Sequence, residues 1–520
     1  MTNNRAILST VCKGWLIVAT IFAGLLSVGS FATVEAATLT LLVNDAAGES
    51  MPCRIHFQDK NGKPQRPNGL PFFRDHFVCP GRAVLELPAG KYSFAIERGP
   101  EYEGIDGEIE LSGNERREVK FTLKRIADLA ELGWHAGDLH VHRPVEDIRL
   151  LMQAEDLHVA PVITWWNNRN LWKDRPIPKQ LLHRFDSNRL YDVMAGEDER
   201  EGGALLFFHL KKPLEITGSS REFPSPMKFV TEARSRKNVW IDIEKPFWWD
   251  APLWLASGQV DSIGLANNHM CRSRMYEDEA WGRPRDSKRL PAPRGNGYWT
   301  QEIYYDILNC GLRIPPSAGS ASGVLPNPVG YNRVYVHTGK KLSYDGWWDG
   351  LKAGRSFVTN GPLLICRANG ELPGHVFAAD AGKKVEIQFD VSLTTGDKVT
   401  ALEIIRDGKV IRHLPVEKGD GKGEFGTLKF RESGWFLVRA IAENPRTFRF
   451  ASTAPFYVEV GKQKRRISRK SAKFFLDWVD ERIARVEKNV TDVGQREEVL
   501  AHHKRARTFW QKRLESATAE

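Results

Sequence analysis

Motifs of several common enzyme classes are absent from the 520-residue sequence. Its six cysteines form no C-x-x-C pair, which argues against a zinc ribbon. The central part of the chain has no Gly-x-Ser-x-Gly motif, which argues against a serine hydrolase of the nucleophile-elbow type. The glycine-rich stretch 319–323 lacks the Gly-Lys-Ser/Thr ending of a P-loop, so we interpret it as a turn.

Long apolar runs are also scarce, and the one that occurs lies near the N-terminus. Basic residues precede an apolar run over residues 15–32, and the small residues Ala36 and Ala37 follow it. This order predicts a secretory signal peptide over residues 1–37, cleaved near Ala36 and Ala37. An uncleaved membrane anchor is the alternative. In both cases we expect an exported protein, periplasmic or secreted, with no stable membrane span after cleavage.

The formal net charge is +10 at pH 7, and the isoelectric point is near 9.2. This excess of positive charge suits an anionic small-molecule or glycan substrate. Much of the excess lies in the basic run 462–470, which we interpret as a solvated face at the start of a helix, so no nucleic-acid partner is expected. An oxidising compartment permits Cys53 to pair with Cys79, but the sequence leaves the pairing open, as it does the oligomeric state.

Alternating hydrophobicity predicts β-sandwich domains on both flanks of the chain. Residues 38–124 contain short period-two runs bounded by turn residues, which are typical of an antiparallel sandwich. The sequence Leu-Pro-Ala-Gly-Lys-Tyr at 87–92 resembles the hairpin of carboxypeptidase-regulatory or transthyretin-like domains. The same alternation over residues 367–462 predicts a second sandwich. Residues 463–520 have apolar positions at three- and four-residue spacing, which predicts a helical tail.

Between these flanks, residues 125–366 alternate strand-like runs with helical stretches. For example, the helical pattern of residues 147–158 precedes the apolar run 159–164. This order predicts a parallel, barrel-like α/β core with reactive side chains at the carboxyl ends of its strands. The expected fold class is therefore multidomain, with a central α/β barrel, an N-terminal and a C-terminal β-sandwich, and a C-terminal helix.

His140 and His142 are the first candidate metal ligands in this core. They belong to the sequence Asp-Leu-His-Val-His at 138–142. Residues two apart in an extended segment point to the same side, so both imidazoles can bind one metal ion.

This motif is similar to the opening motif of the PHP (polymerase and histidinol phosphatase) superfamily. Two further stretches, Gly-Arg-Ser-Phe-Val-Thr-Asn-Gly-Pro at 354–362 and Pro-Asn-Pro-Val-Gly-Tyr-Asn-Arg-Val-Tyr-Val at 326–336, resemble its exported branch of the CehA/McbA type. The resemblance covers residues 133–362. It implies a distorted (β/α)7 barrel that binds one or two divalent ions, which would be zinc, manganese or iron.

The resemblance also implies an acidic residue that bridges metal ions and a histidine that follows it. An acidic run offers Glu197, Asp198 and Glu199, and the choice among them stays open. His209 supplies the later histidine. His269 ends another apolar run and is a further candidate. A solvated acidic turn and a hydrogen-bonded core histidine are the ordinary alternatives.

The chain departs from the superfamily pattern at three places. Trp165 and Trp166 stand where a Thr-Asp-His is expected, Lys245 stands in place of a histidine before a proline, and Ala321 and Gly323 replace two ligands of a Ser-Asp-x-His. A third ion is therefore not expected. A single ion on the remaining ligands would still leave an open position for water.

The expected function is that of an exported metal-dependent hydrolase that cleaves an ester, carbamate, amide or phosphoester bond by a metal-bound hydroxide. His209 or His269 would transfer a proton, and Lys245 or Arg333 would stabilise the developing anion. For Lys245 and Arg333 an ordinary salt bridge is the alternative. The alternative function is carbohydrate binding without catalysis. In that case the protein would be a catalytically degenerate relative, and its tryptophans would stack on sugar rings.

Overall fold

The computed structural model describes residues 36–414 and 426–520 of the chain. The predicted signal sequence therefore lies outside the described residues, apart from its last two positions. Among the described residues, no helix has the length and apolar content needed to cross a membrane. The protein is multidomain and rich in β-structure, with several separate sheets.

The N-terminal domain consists of two sheets. Its strands are β1 (Ala37–Asn44), β2 (Cys53–Asp59), β3 (Phe72–Phe73), β4 (His76–Cys79), β5 (Arg82–Leu87), β6 (Gly90–Glu97), β7 (Ile105–Leu111) and β8 (Arg116–Thr122). One sheet has the order β5-β1-β8 and the other β3-β4-β2-β6-β7. Leu39 and Leu41 of the first sheet share an apolar cluster with Ile55 and Phe57 of the second. Alternate residues of both sheets therefore enclose one core.

The central region begins at β9 and contains most of the helices. Its elements are β9 (Trp134–Gly137), a 3-10 helix (Val145–Asp147), α1 (Ile148–Ala154), β10 (Val159–Trp166), β11 (Arg169–Asn170), β12 (Leu182–Phe185), β13 (Arg189–Arg200), β14 (Gly203–Phe208), α2 (Pro226–Arg234), β15 (Trp240–Ile243), α3 (Ala251–Ser257), β16 (Ser262–Ala266), α4 (Gly295–Asn309), β17 (Pro316–Ala318), β18 (Arg333–His337), α5 (Tyr344–Lys352) and β19 (Ser356–Thr359). The buried side chains of these strands and helices form a large shared core.

The central strands pair in both directions, and β11, β12, β14 and β18 each run antiparallel to their neighbours. Parallel pairs join β9 to β10, β10 to β13, β15 to β16 and β16 to β17, whereas β14 is antiparallel to both β13 and β15. Only Glu201 and Gly202 separate β13 from β14, and a connection this short permits only a hairpin. The predicted parallel core is therefore present only in part, and the seven-unit barrel stays a prediction.

In residues 363–414 and 426–520, the C-terminal region contains ten strands and two long helices. These are β20 (Leu363–Ala368), β21 (Val376–Ala379), β22 (Val385–Ile387), β23 (Phe389–Thr394), β24 (Val399–Arg406), β25 (Lys409–Leu414), β26 (Leu428–Phe430), β27 (Gly434–Ala442), β28 (Arg449–Thr453), β29 (Phe456–Val460), α6 (Arg469–Asn489) and α7 (Val493–Glu515). β28 pairs with β19, so the C-terminal strands continue the central sheet.

The predicted C-terminal helix is a hairpin of two helices. α6 ends before Val490, and the side chain of Asp492 accepts a hydrogen bond from Gln495 N (2.8 Å), which caps the start of α7. The indole of Trp510 in α7 donates to Pro252 O at 3.0 Å. The helical pair is thereby fixed to the central region.

Cys53 and Cys79 occupy directly opposed positions on β2 and β4, and their Sγ atoms are 3.7 Å apart. We expect oxidised glutathione to join them by thiol–disulfide exchange, with two equivalents of reduced glutathione released. Peptide mapping without reduction should recover the linked pair, and Cys53→Ser should abolish it. Recovery of Cys79 in an unlinked peptide after full oxidation would contradict this expectation.

Asp192 on β13 is buried, and burial raises the pKa of its carboxyl group to about 7. The folded state therefore holds this proton more tightly than the unfolded state, and the associated stability is lost as the pH rises from about 4 to about 7. Asn at this position keeps an acceptor for Met194 N. We expect Asp192→Asn to increase the free energy of unfolding by about 4 kcal/mol at pH 8, with little change at pH 4.

Urea unfolding of both proteins at the two pH values measures this difference. Asp349→Asn, an exposed change on α5, is the matched control and should have no effect at either pH. An equal effect of Asp192→Asn at pH 4 and pH 8 would show that titration of this carboxyl is not the cause.

Candidate metal centre

His140 and His142 lie in the extended segment that follows β9. Between them, Val141 forms parallel bridges to both Val162 and Ser322, which keeps the segment extended. The two imidazoles therefore point to the same side, as the alternation of an extended chain requires. Their Nε2 atoms are 3.0 Å apart.

Asp138 fixes the backbone of this segment. Its Oδ1 accepts hydrogen bonds from His140 N and Ser320 N, each at 3.0 Å, and its Oδ2 accepts one from Gly330 N at 2.7 Å. Burial raises the pKa of Asp138, and the three amide donors oppose this effect. The first residue of the motif is thus a structural anchor that joins three segments.

The stretch 319–323 packs directly against the two histidines. A Cβ atom on Gly319 would lie 2.5 Å from the Cβ atom of His140, which is closer than real side chains approach. The residues that replace the expected Ser-Asp-x-His ligands therefore support the backbone of the histidine segment. Ala321 and Gly323 contribute no metal-binding atom.

Glu197 on β13 completes a group of three potential ligands. Its Oε2 lies 3.4 Å from His140 Nε2 and 3.1 Å from His142 Nε2. One potential ligand atom from each of the three side chains lies within 4.8 Å of the other two. Beside them, Trp165 fills the space over Gly196, where a Cβ atom would lie 1.7 Å from the indole. This contact fixes β13 against β10.

The separations among these three atoms fit a tetrahedral metal ion. Ligands at about 2.0–2.1 Å from zinc are about 3.3 Å from one another in tetrahedral geometry. The separations here are 3.0, 3.1 and 3.4 Å. Glu197 Oε2 is also buried without a hydrogen-bond partner, which is costly unless a cation is bound. The residues present therefore fit one divalent ion with one open position.

Glu244 approaches the outer side of His140. Its Oε1 lies 3.3 Å from His140 Nδ1, so the opposite nitrogen, Nε2, faces Glu197. A carboxylate behind a histidine ligand fixes the ring orientation and increases its basicity. Burial lowers the pKa of His140, but Glu197 and Glu244 outweigh it and raise the pKa to about 10. The cluster thus strongly favours a positive charge.

The two carboxylates are held in their ionised forms. Burial opposes ionisation of Glu197, but the two imidazoles lower its pKa well below the usual value. Burial likewise opposes ionisation of Glu244, but Lys245 and His140 lower its pKa to about 2. Negative charge therefore lies on both sides of the His140 ring.

Lys245 is a buried cation beside this cluster. Its ammonium group donates to Glu244 Oε2 and lies 4.5 Å from the ring centroid of Trp248. Trp248 Nε1 donates to the same carboxylate oxygen at 2.9 Å. The salt bridge considered for Lys245 is therefore present, but with a carboxylate that itself contacts a candidate metal ligand.

Glu199 lies on the same face of β13 as Glu197. Burial and the charge of Glu197 raise the pKa of Glu199 to about 7, and Trp166 Nε1 donates to its Oε2 at 3.1 Å. The Trp166 ring also packs on His142, with centroids 5.0 Å apart. Trp166 therefore orders two side chains of the site although it supplies no ligand.

The other acidic candidate, Asp198, lies on the opposite face of β13. Arg200 Nη2 donates to its Oδ2 at 2.8 Å, and Arg200 Nε donates to Oδ1. This closed ion pair keeps Asp198 away from the histidines. Among the three acidic candidates, the structure thus brings only Glu197 into contact with His140 and His142.

His209 lies at the other end of the central sheet. Its Nδ1 is 3.0 Å from Asn238 O, and its ring packs on Trp348 with centroids 4.7 Å apart. Asn238 precedes β15, whereas Glu244 follows it. Because β14 is reversed, its end meets the start of β15. The structure therefore does not bring His209 to the metal cluster, either as a ligand or as a proton carrier.

Arg333 is also remote from the cluster. Its Nε donates to Gly330 O, and both terminal nitrogens lie 3.2 Å from Glu155 O. The guanidinium therefore supports the loop that contains Gly330, whose amide binds Asp138. Arg333 positions the backbone and does not face the space around the imidazoles.

His269 lies beside Lys245 and outside the three-ligand group. Its Nδ1 donates to Asp278 O at 3.1 Å, because a carbonyl can only accept. Burial and the charge of Lys245 lower the pKa of His269 to about 3, so the ring is neutral with a lone pair on Nε2. With this pKa, His269 is a weak base at neutral pH, and its role in proton transfer stays a prediction.

No family model matches this chain, and no curated protein does. Among solved structures, fibronectin(III)-like modules of Clostridium thermocellum CbhA are 14% identical, with 18% of this chain and 94% of that chain covered and a TM-score of 0.12. A CARDB domain from Pyrococcus furiosus is 17% identical, with 19% and 95% covered and a TM-score of 0.13. A crystal structure of that domain with di-metal ions has the same identity and TM-score, and 19% of this chain and 94% of that chain are covered. Likeness at this level identifies no family.

Glu244 is the site residue that the sequence analysis missed. The local sequence Ile-Glu-Lys-Pro drew attention only to Lys245. A signal was present, because Glu244 directly follows the fully buried run Trp240–Ile243. An acidic residue at the carboxyl end of a buried strand is typical of a functional position.

We expect Glu244→Gln to weaken zinc binding by about 10- to 100-fold, because the carboxylate behind His140 is lost. Competition with a chromophoric chelator measures the change in affinity. Glu487→Gln, an exposed change on α6, should leave the affinity unchanged. Equal affinity in the Glu244 variant and the control would exclude a role of Glu244 in the metal centre.

Proposed function

We propose that this protein is an exported metal-dependent hydrolase related to the CehA/McbA branch of the PHP superfamily. The observation that carries the proposal is the convergence of His140 Nε2, His142 Nε2 and Glu197 Oε2 within 3.0–3.4 Å of one another. Zinc, manganese or iron would bind these atoms. When bound, such an ion supplies Lewis acidity and an acidic water molecule.

The neighbouring side chains suit hydrolysis of a carbonyl or phosphoryl ester. Lys245 is a buried cation held in place by Glu244 and Trp248, so it can stabilise negative charge that develops on a substrate oxygen. Glu199 has a pKa near 7, which suits a group that gains and loses a proton at neutral pH. His269 offers a second neutral acceptor on the side of Lys245.

The proposal covers an ester, carbamate, amide or phosphoester bond as the one cleaved. A small-molecule or glycan substrate with an anionic group fits the basic composition of the chain. Export rests on the predicted signal peptide. The candidate residues for chemistry are now Lys245, Glu199 and His269, whereas His209 and Arg333 serve the fold.

Metal analysis of the purified protein tests this proposal. We expect His140→Ala/His142→Ala to contain one divalent ion per chain fewer than the wild type, because two of three ligands are removed. Glu197→Gln, which has nearly the same shape, should lose the same ion. His375→Ala, an exposed change, is the matched control.

The same variants should lose hydrolysis of model esters, carbamates or phosphoesters, whereas the control should keep it. An equal metal content in the wild type and the double-histidine variant would contradict the proposed site. Metal binding without turnover of any of these substrate classes would leave a site without hydrolysis and contradict the proposed activity.

A carbohydrate-binding protein without catalysis is the second candidate function. The observation that favours it is the partly exposed Trp166 ring beside His142, since an indole next to polar groups can stack on a sugar ring. In that case, metal-free folded protein should bind glycans, and Trp166→Ala should remove binding.

A further inference from the structure

A second group of potential ligands lies in the N-terminal domain, on the face of β2 and β4 opposite to Cys53 and Cys79. The register pairs Cys53 with Cys79, Arg54 with Val78 and Ile55 with Phe77, so it places His56 across from His76. The two imidazole centroids are 5.2 Å apart.

Asp75, in the turn before β4, contacts both rings. Its Oδ1 lies 2.8 Å from His76 Nδ1, and its Oδ2 lies 3.4 Å from His56 Nδ1. One atom from each of the three side chains lies within 4.8 Å of the others. Two imidazoles and one carboxylate form a ligand set typical of zinc.

The two imidazoles of this group are buried, and the carboxylate lies on its solvent side. His76 is 2% exposed and His56 12%, whereas Asp75 is 35% exposed and opens the group to solvent. His56 Nε2 is buried without a hydrogen-bond partner. An ion could enter past Asp75 and keep a water molecule as its fourth ligand.

Nearby positive charges are already compensated. Arg54 and Arg272 contribute to the low pKa of His56, but both form ion pairs with Glu97. Arg54 also pairs with Glu155 of the central region. The cations on this face are therefore bound to carboxylates other than Asp75.

We propose that His56, Asp75 and His76 form a second divalent-metal site, of the zinc class, which fastens the β3–β4 hairpin to β2. This site is independent of the proposed hydrolase centre and lies in another domain. Its role is structural, because the ligands come from adjacent strands and a turn and a bound ion would stabilise their arrangement.

Zinc titration of the mature full-length protein, stripped with a chelator, tests the site. We expect two ions per chain in the wild type, one in Asp75→Asn, one in His140→Ala/His142→Ala, and none in the combined variant. Asp75→Asn is preferred over a change of His76 because Asp75 is partly exposed and the fold should tolerate it. Asp106→Asn, an exposed change on β7, is the matched control.

A spectroscopic measurement adds a second readout. Cobalt added to the His140→Ala/His142→Ala variant should give the visible absorption of a four-coordinate ion, and Asp75→Asn in that background should remove it. Zinc should also raise the melting temperature of the double-histidine variant, but not that of the combined variant.

The outcomes separate the two sites. A double-histidine variant that is folded and binds no zinc would overturn the second site and leave the hydrolase centre intact. One ion in the wild type that is lost in Asp75→Asn, but kept in the double-histidine variant, would support the second site and contradict the first. Full binding by Asp75→Asn would show that the carboxylate only accepts hydrogen bonds from the two rings, and would overturn the site.

Discussion

The candidate metal centre depends on one buried carboxylate that binds no metal. Asp138 accepts amide hydrogen bonds from His140, Ser320 and Gly330, and so joins the segment after β9 to two other loops. The amide dipoles offset part of the cost of burying its charge, and this leaves the side chains of the site free for other contacts. Arg333 holds the last of these loops through Gly330 O. This network holds the backbone of the histidine segment, whereas Glu244 and Trp166 contact the two imidazole rings themselves.

In front of this network, charge is arranged around His140. Glu197 contacts one nitrogen of the ring and Glu244 the other, so that the ring lies between two ionised carboxylates. Lys245 compensates Glu244 but not Glu197. The negative charge of Glu197, which Lys245 does not compensate, therefore lies at the Nε2 side of the His140 ring, where the ion is proposed to bind. This division of charge suits two distinct roles for the carboxylates, with Glu197 as the proposed ligand and Glu244 as the proposed orienting group.

The sequence was sufficient to predict what depends on local pattern. The two-residue spacing of His140 and His142 predicted their common direction, and the same alternation in an extended acidic run lets Glu197 and Glu199 share a face, opposite to Asp198. The sequence was not sufficient where the position of a residue depended on the direction of its strand. A parallel β14 would have placed His209 near the cluster, but the two-residue turn after β13 reverses the strand, and only attention to that short connection could have revealed this. The contact of Glu244 with His140 and the partners of Arg333 depend on tertiary structure that no local pattern specifies.

The three proposed ligands come from distant parts of the chain. Glu197 follows His142 by more than fifty residues, and Glu244, which orients His140, comes later still. An unfolded chain can therefore offer an ion only the His140–His142 pair, and the full set of ligands forms only when β9, β13 and β15 have each joined the central sheet. Tight metal capture would then be a late event in folding. For a protein translocated in an unfolded state, the ion would be acquired in the compartment where folding is completed, so the metal supply of that compartment would select the metal that is bound.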